Sequence, residues 1–178
     1  MQKARGTIEI RVARPQDVPA IDALLRTSFP APDEALLVQR LCIDGDMVLA
    51  MVAEEAGALA GVAIFSRMVA EVGGKPVAAV ALAPVATAPT HRRQGVAEAL
   101  IAAGHDRLRS AQVMLSFVLG DPAYYGRFGY SADWARGFDS PYAGEYFMAV
   151  PLQDGAMPCG VRGRCDHAAA FAMLGEAA

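Results

Sequence analysis

The chain has 178 residues, 54% hydrophobic and 20% charged, enough to bury about 70% of the unfolded surface in one domain without a disulfide or metal and too apolar for disorder. Its formal net charge of -3 and pI near 5.6 exclude a broad positive field for a phosphate backbone, so no nucleic-acid partner is expected. No apolar run reaches the roughly 18 residues of a bilayer span and the N-terminal residues carry no secretory h-region, which predicts a cytoplasmic protein with no membrane partner.

Along the chain, Ile8, Ile10 and Val12 alternate with Glu9 and Arg11, predicting a half-buried strand over 7–13. Pro15 opens a helix with Asp17 in its first turn and Ile21, Leu24, Leu25 and Ser28 on one face, stopped by Pro30 and Pro32. Asp33 is placed to cap a second helix, with Leu36, Leu37, Arg40 and Leu41 as its stripe and Asp44-Gly45-Asp46 as its end. The runs 47–53 and 59–69 flank Glu54-Glu55-Ala56-Gly57 as a hairpin, and Gly73-Gly74-Lys75-Pro76 turns into a third strand over 77–87. Connections this short make the meander antiparallel. Pro84 cannot donate to a ladder and marks a bulge or an end of pairing.

The spacing from Gly95 to Ser110 predicts a helix with Val96, Leu100, Ala103, Arg107 and Leu108 on its face. A strand over 113–119, a short helix from Ala123 to Phe128 ending at Gly129, and a last strand over 146–152 follow. One domain over residues 6–152 results, with 153–178 a C-terminal extension of unassigned role. Cys42, Cys159 and Cys165 are an odd number in a chain that needs no disulfide, so free thiols are expected. Cys159, Cys165 and His167 lie close in sequence without an evident full ligand set, and no metal is expected.

Between the third strand and the long helix, Ala88-Pro89-Thr90-His91 leads into Arg92-Arg93-Gln94-Gly95-Val96-Ala97. Unpaired N–H groups at a helix start, together with the helix dipole, favour an anion. Gly95 lets a phosphate approach the backbone, Ala97 keeps the next turn small, and Arg92 and Arg93 add charge. The missing Gly-Lys-Ser or Gly-Lys-Thr excludes a P-loop, and the single glycine excludes a dinucleotide fingerprint. By itself the segment also reads as a solvated helix start.

Arg92, Gly95 and Ala97 fit the acyl-CoA motif of the GNAT superfamily of N-acetyltransferases: Gln or Arg, two residues, Gly, one residue, then Gly or Ala. Tyr124-Tyr125-Gly126-Arg127-Phe128-Gly129-Tyr130 looks like that family's aromatic-Tyr, two residues, Phe-Gly-aromatic segment. Over residues 8–150 the chain therefore resembles the GNAT superfamily, and its run Gly120-Asp121-Pro122-Ala123-Tyr124-Tyr125 is similar to the YhbS-like group of predicted acetyltransferases. The resemblance implies an α/β (α+β) GNAT fold. Its central sheet would be mixed, mostly antiparallel, of about six to seven strands, splayed at the acyl-CoA site and flanked by helices. It also implies an acyl-CoA-dependent N-acyltransferase with acetyl-CoA as cosubstrate, acting on a small-molecule or peptide amine by direct attack in a ternary complex. Many relatives pair, which leaves a homodimer open.

By the same resemblance, backbone groups of Val85, Ala86 and Thr87 would meet the pantetheine arm. Arg92, Arg93, Gln94, Gly95, Val96 and Ala97 would hold the pyrophosphate, and Tyr125 would be the general acid. Deprotonating a lysine-like amine at pH 7 costs about 4.6 kcal/mol and an α-amine about 1.4 kcal/mol, so a base, a water chain or a weakly basic substrate is required. The strand over 77–87 carries no carboxylate or histidine where many relatives keep a Glu, leaving Glu34, Asp121 and Glu145 as candidates with none assigned. The alternative is a non-catalytic acyl-CoA-binding sensor or interaction module.

Overall fold

The structure is a computed structural model and describes residues 6–154 and 159–175. Strand β1 (Glu9–Val12) passes through a 3-10 turn into helices α1 (Val18–Ser28) and α2 (Asp33–Asp44). In β1 the expected alternation breaks at its end: Val12 is 37% exposed and Arg11 is drawn inward. Its guanidinium donates to Asp17 at 2.7 Å and to Glu54 at 2.6 Å. Helix α1 buries Ile21, Leu24 and Leu25 as its spacing requires. Helix α2 is turned from its predicted stripe: Ala35, Leu37, Val38 and Leu41 are buried, whereas Leu36 and Arg40 face outward. Pro32 takes the N-cap position, so Asp33 is the first helical residue instead of the cap.

Strands β2 (Met47–Glu55), β3 (Ala58–Val72) and β4 (Lys75–Thr87) form the antiparallel meander. Ala56 and Gly57 close its first turn with φ of 50° and 82°, the two positive values a type I′ hairpin needs. On β4, Pro84 sits in a bulge. Ala63 pairs with Val85 and Phe65 with Leu82, so Ala83 and Pro84 together oppose Ile64. One extra residue reverses which side chains face which side of a strand. Ala79 and Ala81 face the α1–α2 side before the bulge, and Ala86 does so after it. Val85 turns to the opposite face.

Helix α3 (Val96–Ser110) is the crossover to β5 (Leu115–Leu119), which lies parallel to β4, the arrangement expected when strand, helix and strand follow one another. The two strands share only the register Ala79↔Leu115, Val80↔Ser116 and Ala81↔Phe117. Beyond Ala81 they part, and Leu82 to Thr87 keep a strand partner on the β3 side alone. Strand β6 (Phe147–Pro151) closes the far edge antiparallel to β5. Strand β7 (Arg162–His167), unrecognised in the sequence, pairs with Met68–Val72 of β3, on the stretch that β2 leaves free. The sheet has seven strands in the order β1-β2-β3-β4-β5-β6 with β7 beside β3, mixed and mostly antiparallel.

Two apolar layers cover the sheet. On one face α1, α2 and the tail pack over Val62, Ile64 and Phe117. On the other, α3 packs over Ala63, Phe65 and Val118. The buried side of α3 is Val96, Leu100, Ile101, Gly104, His105 and Leu108; the expected Arg107 is exposed and Ala103 half-buried. Two glycines set how closely α3 approaches. A Cβ on Gly61 would lie 2.8 Å from Val96 Cγ1, and one on Gly104 would lie 2.4 Å from Phe65 Cε2. No helix among the described residues is long and apolar enough to cross a membrane.

Candidate active site

Helix α3 starts at the end of the parted strand β4. The loop between them is pinned from below: Ala88 N–H donates to Ala60 C=O at 2.8 Å, and His91 Nε2 donates to Glu55 Oε2 at 2.8 Å. Gln94 Nε2 donates back to Thr90 C=O at 2.7 Å. His91, which the sequence places in a basic cluster, is thus spent on holding the loop. Arg93 and Gly95 adopt positive φ of 59° and 78°, a backbone turn that points successive N–H groups to one side. The first helical bond runs from Ala99 N–H to Gly95 C=O at 3.0 Å. The N–H groups ahead of it have no helical acceptor and lie where the helix dipole is positive.

A cleft of about 450 Å³ opens at this point, lined by Thr87, Arg92, Arg93, Gly95, Val96 and Ala97, with Glu98, Tyr124 and Arg127 across it. Of the residues expected from the sequence, Val85, Ala86, Gln94 and Tyr125 do not line it. Val85 and Ala86 lie deeper along the parted strand, and the Gln94 side chain is turned to the loop. Among the described residues neither Arg92 nor Arg93 is ion-paired, and both are exposed. Arg127 is occupied: it donates to Glu98 at 3.0 Å and stacks over the Tyr124 ring at 4.5 Å. Glu98 and Arg127 are residues that sequence reasoning missed. They stand 29 positions apart, and only the fold brings them together.

Tyr125 sits deeper. Asp121 caps the short helix α4 (Pro122–Tyr125) by accepting from Ala123 N–H at 2.9 Å. This turns the Tyr125 ring over Gly120, just past the end of β5; a Cβ on Gly120 would lie 2.4 Å from Tyr125 Cε2. The ring meets Tyr124 edge-on at 4.9 Å and Tyr130 at 6.0 Å. Burial, with a smaller contribution from Tyr124, raises the Tyr125 phenol above its ordinary value, so it stays protonated at neutral pH. No side chain among the described residues takes up its hydroxyl.

Behind Tyr125 the Tyr130 hydroxyl shares hydrogen bonds with Ser116 Oγ at 2.6 Å and His105 Nε2 at 2.9 Å. All three side chains are buried, and together they tie the Tyr125 segment to β5 and α3. Burial lowers His105 to about 4, leaving it neutral.

The other candidates lie apart. Asp121 is used as a cap, Glu34 is in the first turn of α2, and Glu145 is exposed beside a separate hollow. None of the three lines the cleft. A cavity of about 670 Å³ between α1, α2 and the β1–β2 side shares no residue with it. Among the described residues no group of three His, Cys, Asp or Glu side chains is placed to hold a metal. The cysteines are free, and Cys165 is buried in the core, which pushes its thiol up to about 12.

Residues 9–132 match the family described as the acetyltransferase (GNAT) domain. The chain is 42% identical over 122 residues to a protein of Escherichia coli K12 named an uncharacterized N-acetyltransferase, YhbS, covering 68% of this chain and 72% of that one. The crystal structure of Escherichia coli YhbS in complex with CoA superposes with a TM-score of 0.85 at 35% identity, over 97% of this chain and 95% of that one. A GNAT acetyltransferase from Brucella melitensis in complex with acetyl-CoA gives a TM-score of 0.71 at 29% identity, over 93% and 99%.

Proposed function

The chain belongs to the GNAT family of acetyltransferases, and from that premise we propose that it transfers an acetyl group from acetyl-CoA to a primary amine by direct attack in a ternary complex. The observation that carries this reading is the cleft at the start of α3, beyond the point where β4 leaves β5: N–H groups without a helical acceptor and two arginines outside any ion pair among the described residues line it. A pyrophosphate there is met by the backbone N–H groups of residues 95–97 and by Arg92 and Arg93. The pantetheine arm runs along the free edge of Val85, Ala86 and Thr87, and one N–H of that edge polarises the thioester carbonyl.

Tyr125 is the general acid. The amine nitrogen bonds to the carbonyl carbon, the C–S bond breaks, and the phenol gives its proton to the departing thiolate. The proton shed by the amine nitrogen then restores the phenol. A phenol whose pKa is raised by burial is fully protonated when needed and recovers its proton readily.

Thermal shift with CoA tests the cofactor end without any acceptor. A ligand at 100 times its Kd adds about 2.7 kcal/mol of stability, and no shift would refute the reading. Release of free thiol from acetyl-CoA across a panel of primary amines tests the transfer. CoA binding with no amine-dependent release would instead favour the non-catalytic sensor.

A further inference from the structure

Another cavity, about 320 Å³, lies on the α1–α2 side of the sheet. It is lined by Ala81 to Ala83 of β4 and Phe117 to Leu119 of β5, the residues at which the two strands part. Its outer wall is Tyr142 with His167, Phe171 and Leu174 of the C-terminal segment, which ends β7 and continues through a 3-10 turn into helix α5 (Ala172–Gly175). The cleft at Arg92 to Ala97 is on the α3 side, past the far end of the parted strand β4.

The chemistry of this lining is restrictive. Among the described residues its only polar side chains are Tyr142 and His167, and none is a carboxylate. The His167 ring is held between Tyr142 at 5.0 Å and Phe171 at 4.8 Å, and its buried Nδ1 has no hydrogen-bond partner among the described residues, so the exposed edge of the ring is the part that can meet an occupant of the cavity. Burial lowers His167 to about 4; its imidazole is neutral at physiological pH and offers a lone pair without repelling a cation.

Building on the acyl-transfer reading, we propose that this cavity is the acceptor pocket, that it takes a small primary amine on an aromatic or aliphatic body, and that His167 accepts a hydrogen bond from the attacking nitrogen. The small methyl groups of Ala81 and Ala83 leave room for the body of the acceptor, and Phe117 and Phe171 wall it. A polycation would lose its hydration there and meet no counter-charge. An aralkyl amine exchanges little, because its body replaces apolar contacts and its one polar end finds His167.

The test compares phenylethylamine and hexylamine with spermidine and a lysine peptide as acceptors, reading thiol release from acetyl-CoA, with CoA binding followed in parallel by thermal shift. The apolar amines are expected to exceed the polycations at least tenfold in kcat/KM. Leu174→Trp, in the last short helix, should fill the cavity and cut that preference tenfold while leaving CoA binding unchanged. His167→Leu should lower kcat/KM for the amines, with His167→Gln restoring part of it. Thiol release that favours spermidine or the peptide, or that Leu174→Trp and His167→Leu both leave unchanged, would overturn the pocket assignment alone. CoA binding with no release for any amine would overturn the acyl-transfer reading and this inference with it.

Discussion

Gly120 offers a way to move Tyr125 without touching its chemistry. A Cβ at residue 120 would stand 2.4 Å from Tyr125 Cε2 and 2.9 Å from Cδ2, whereas carbon atoms in good contact are about 3.5–4.0 Å apart. In Gly120→Ala the ring must therefore retreat by about 1 Å, and it cannot do so freely, with Tyr124 edge-on at 4.9 Å and Tyr130 at 6.0 Å. A displacement of about 1 Å at a reacting group costs roughly 100-fold in rate, equivalent to about 2.7 kcal/mol. Removing the hydroxyl in Tyr125→Phe should cost about 100-fold or more in kcat, the range for a lost general acid.

The informative measurement is the double-mutant cycle, with kcat taken from acetyl-CoA thiol release on the best amine acceptor. If Gly120→Ala acts by misplacing the hydroxyl, it should cost little more than a factor of two in the Tyr125→Phe background, giving a coupling energy of about 2 kcal/mol. CoA thermal shifts should match wild type in all three variants. Equal losses from Gly120→Ala in both backgrounds would show that the displaced ring, not its proton, matters, and an unchanged kcat in Tyr125→Phe would refute the general-acid role outright.

Arg92→Ala and Arg93→Ala should each weaken CoA binding by about tenfold at low ionic strength, the scale of one charge-assisted contact at an exposed rim; titrations at two salt concentrations should show a smaller salt dependence than wild type. Gly104→Ala should destabilise the fold by about 1–3 kcal/mol in urea melts despite the better helix propensity of alanine, because the new methyl meets the Phe65 ring at 2.4 Å. Asp17 is held down to about 2 by the Arg11 guanidinium and the Arg14 N–H, so its stabilising contribution is complete above the unfolded value near 3.8 and disappears as pH falls through about 2. Asp17→Asn should cost about 2 kcal/mol at pH 7 and little at pH 2. The buried histidines act in a higher window. With His105 and His167 near 4 in the folded state, the unfolded chain binds more protons between pH 6.5 and 4. Stability should therefore fall as pH drops through that range, and a flat profile in urea melts would contradict their burial.

Local signals in the chain went far. The two turns of the meander, the run from Arg92 to Ala97, the aromatic segment around Tyr125 and the break at Pro84 are each carried by residues close in sequence. Glycine, proline and charge act there through backbone conformation, which is a local property. Helix faces were less legible. The periodicity of α2 and α3 allowed several neighbouring stripes in an alanine-rich chain, and contact with the sheet selected Ala35, Val38, Ile101, Gly104 and His105 over Leu36, Arg40 and Arg107.

Strand β7 escaped because its sequence, Arg162 to His167, has no apolar alternation. It is a strand because Met68 to Val72 of β3, paired with β4 on one side, have an open edge on the other once β2 ends, and an unpaired edge accepts a strand. His167 was visible only as a possible metal ligand, since its aromatic neighbours Tyr142 and Phe171 and the strand ends it faces come from distant parts of the chain. The sequence by itself therefore determined the family motifs, the loop from Arg92 to Ala97 at the start of α3 and the bulge at Pro84. Tertiary structure alone decided what surrounds the opening, because a cavity is made by residues far apart in the chain and no spacing rule records their meeting.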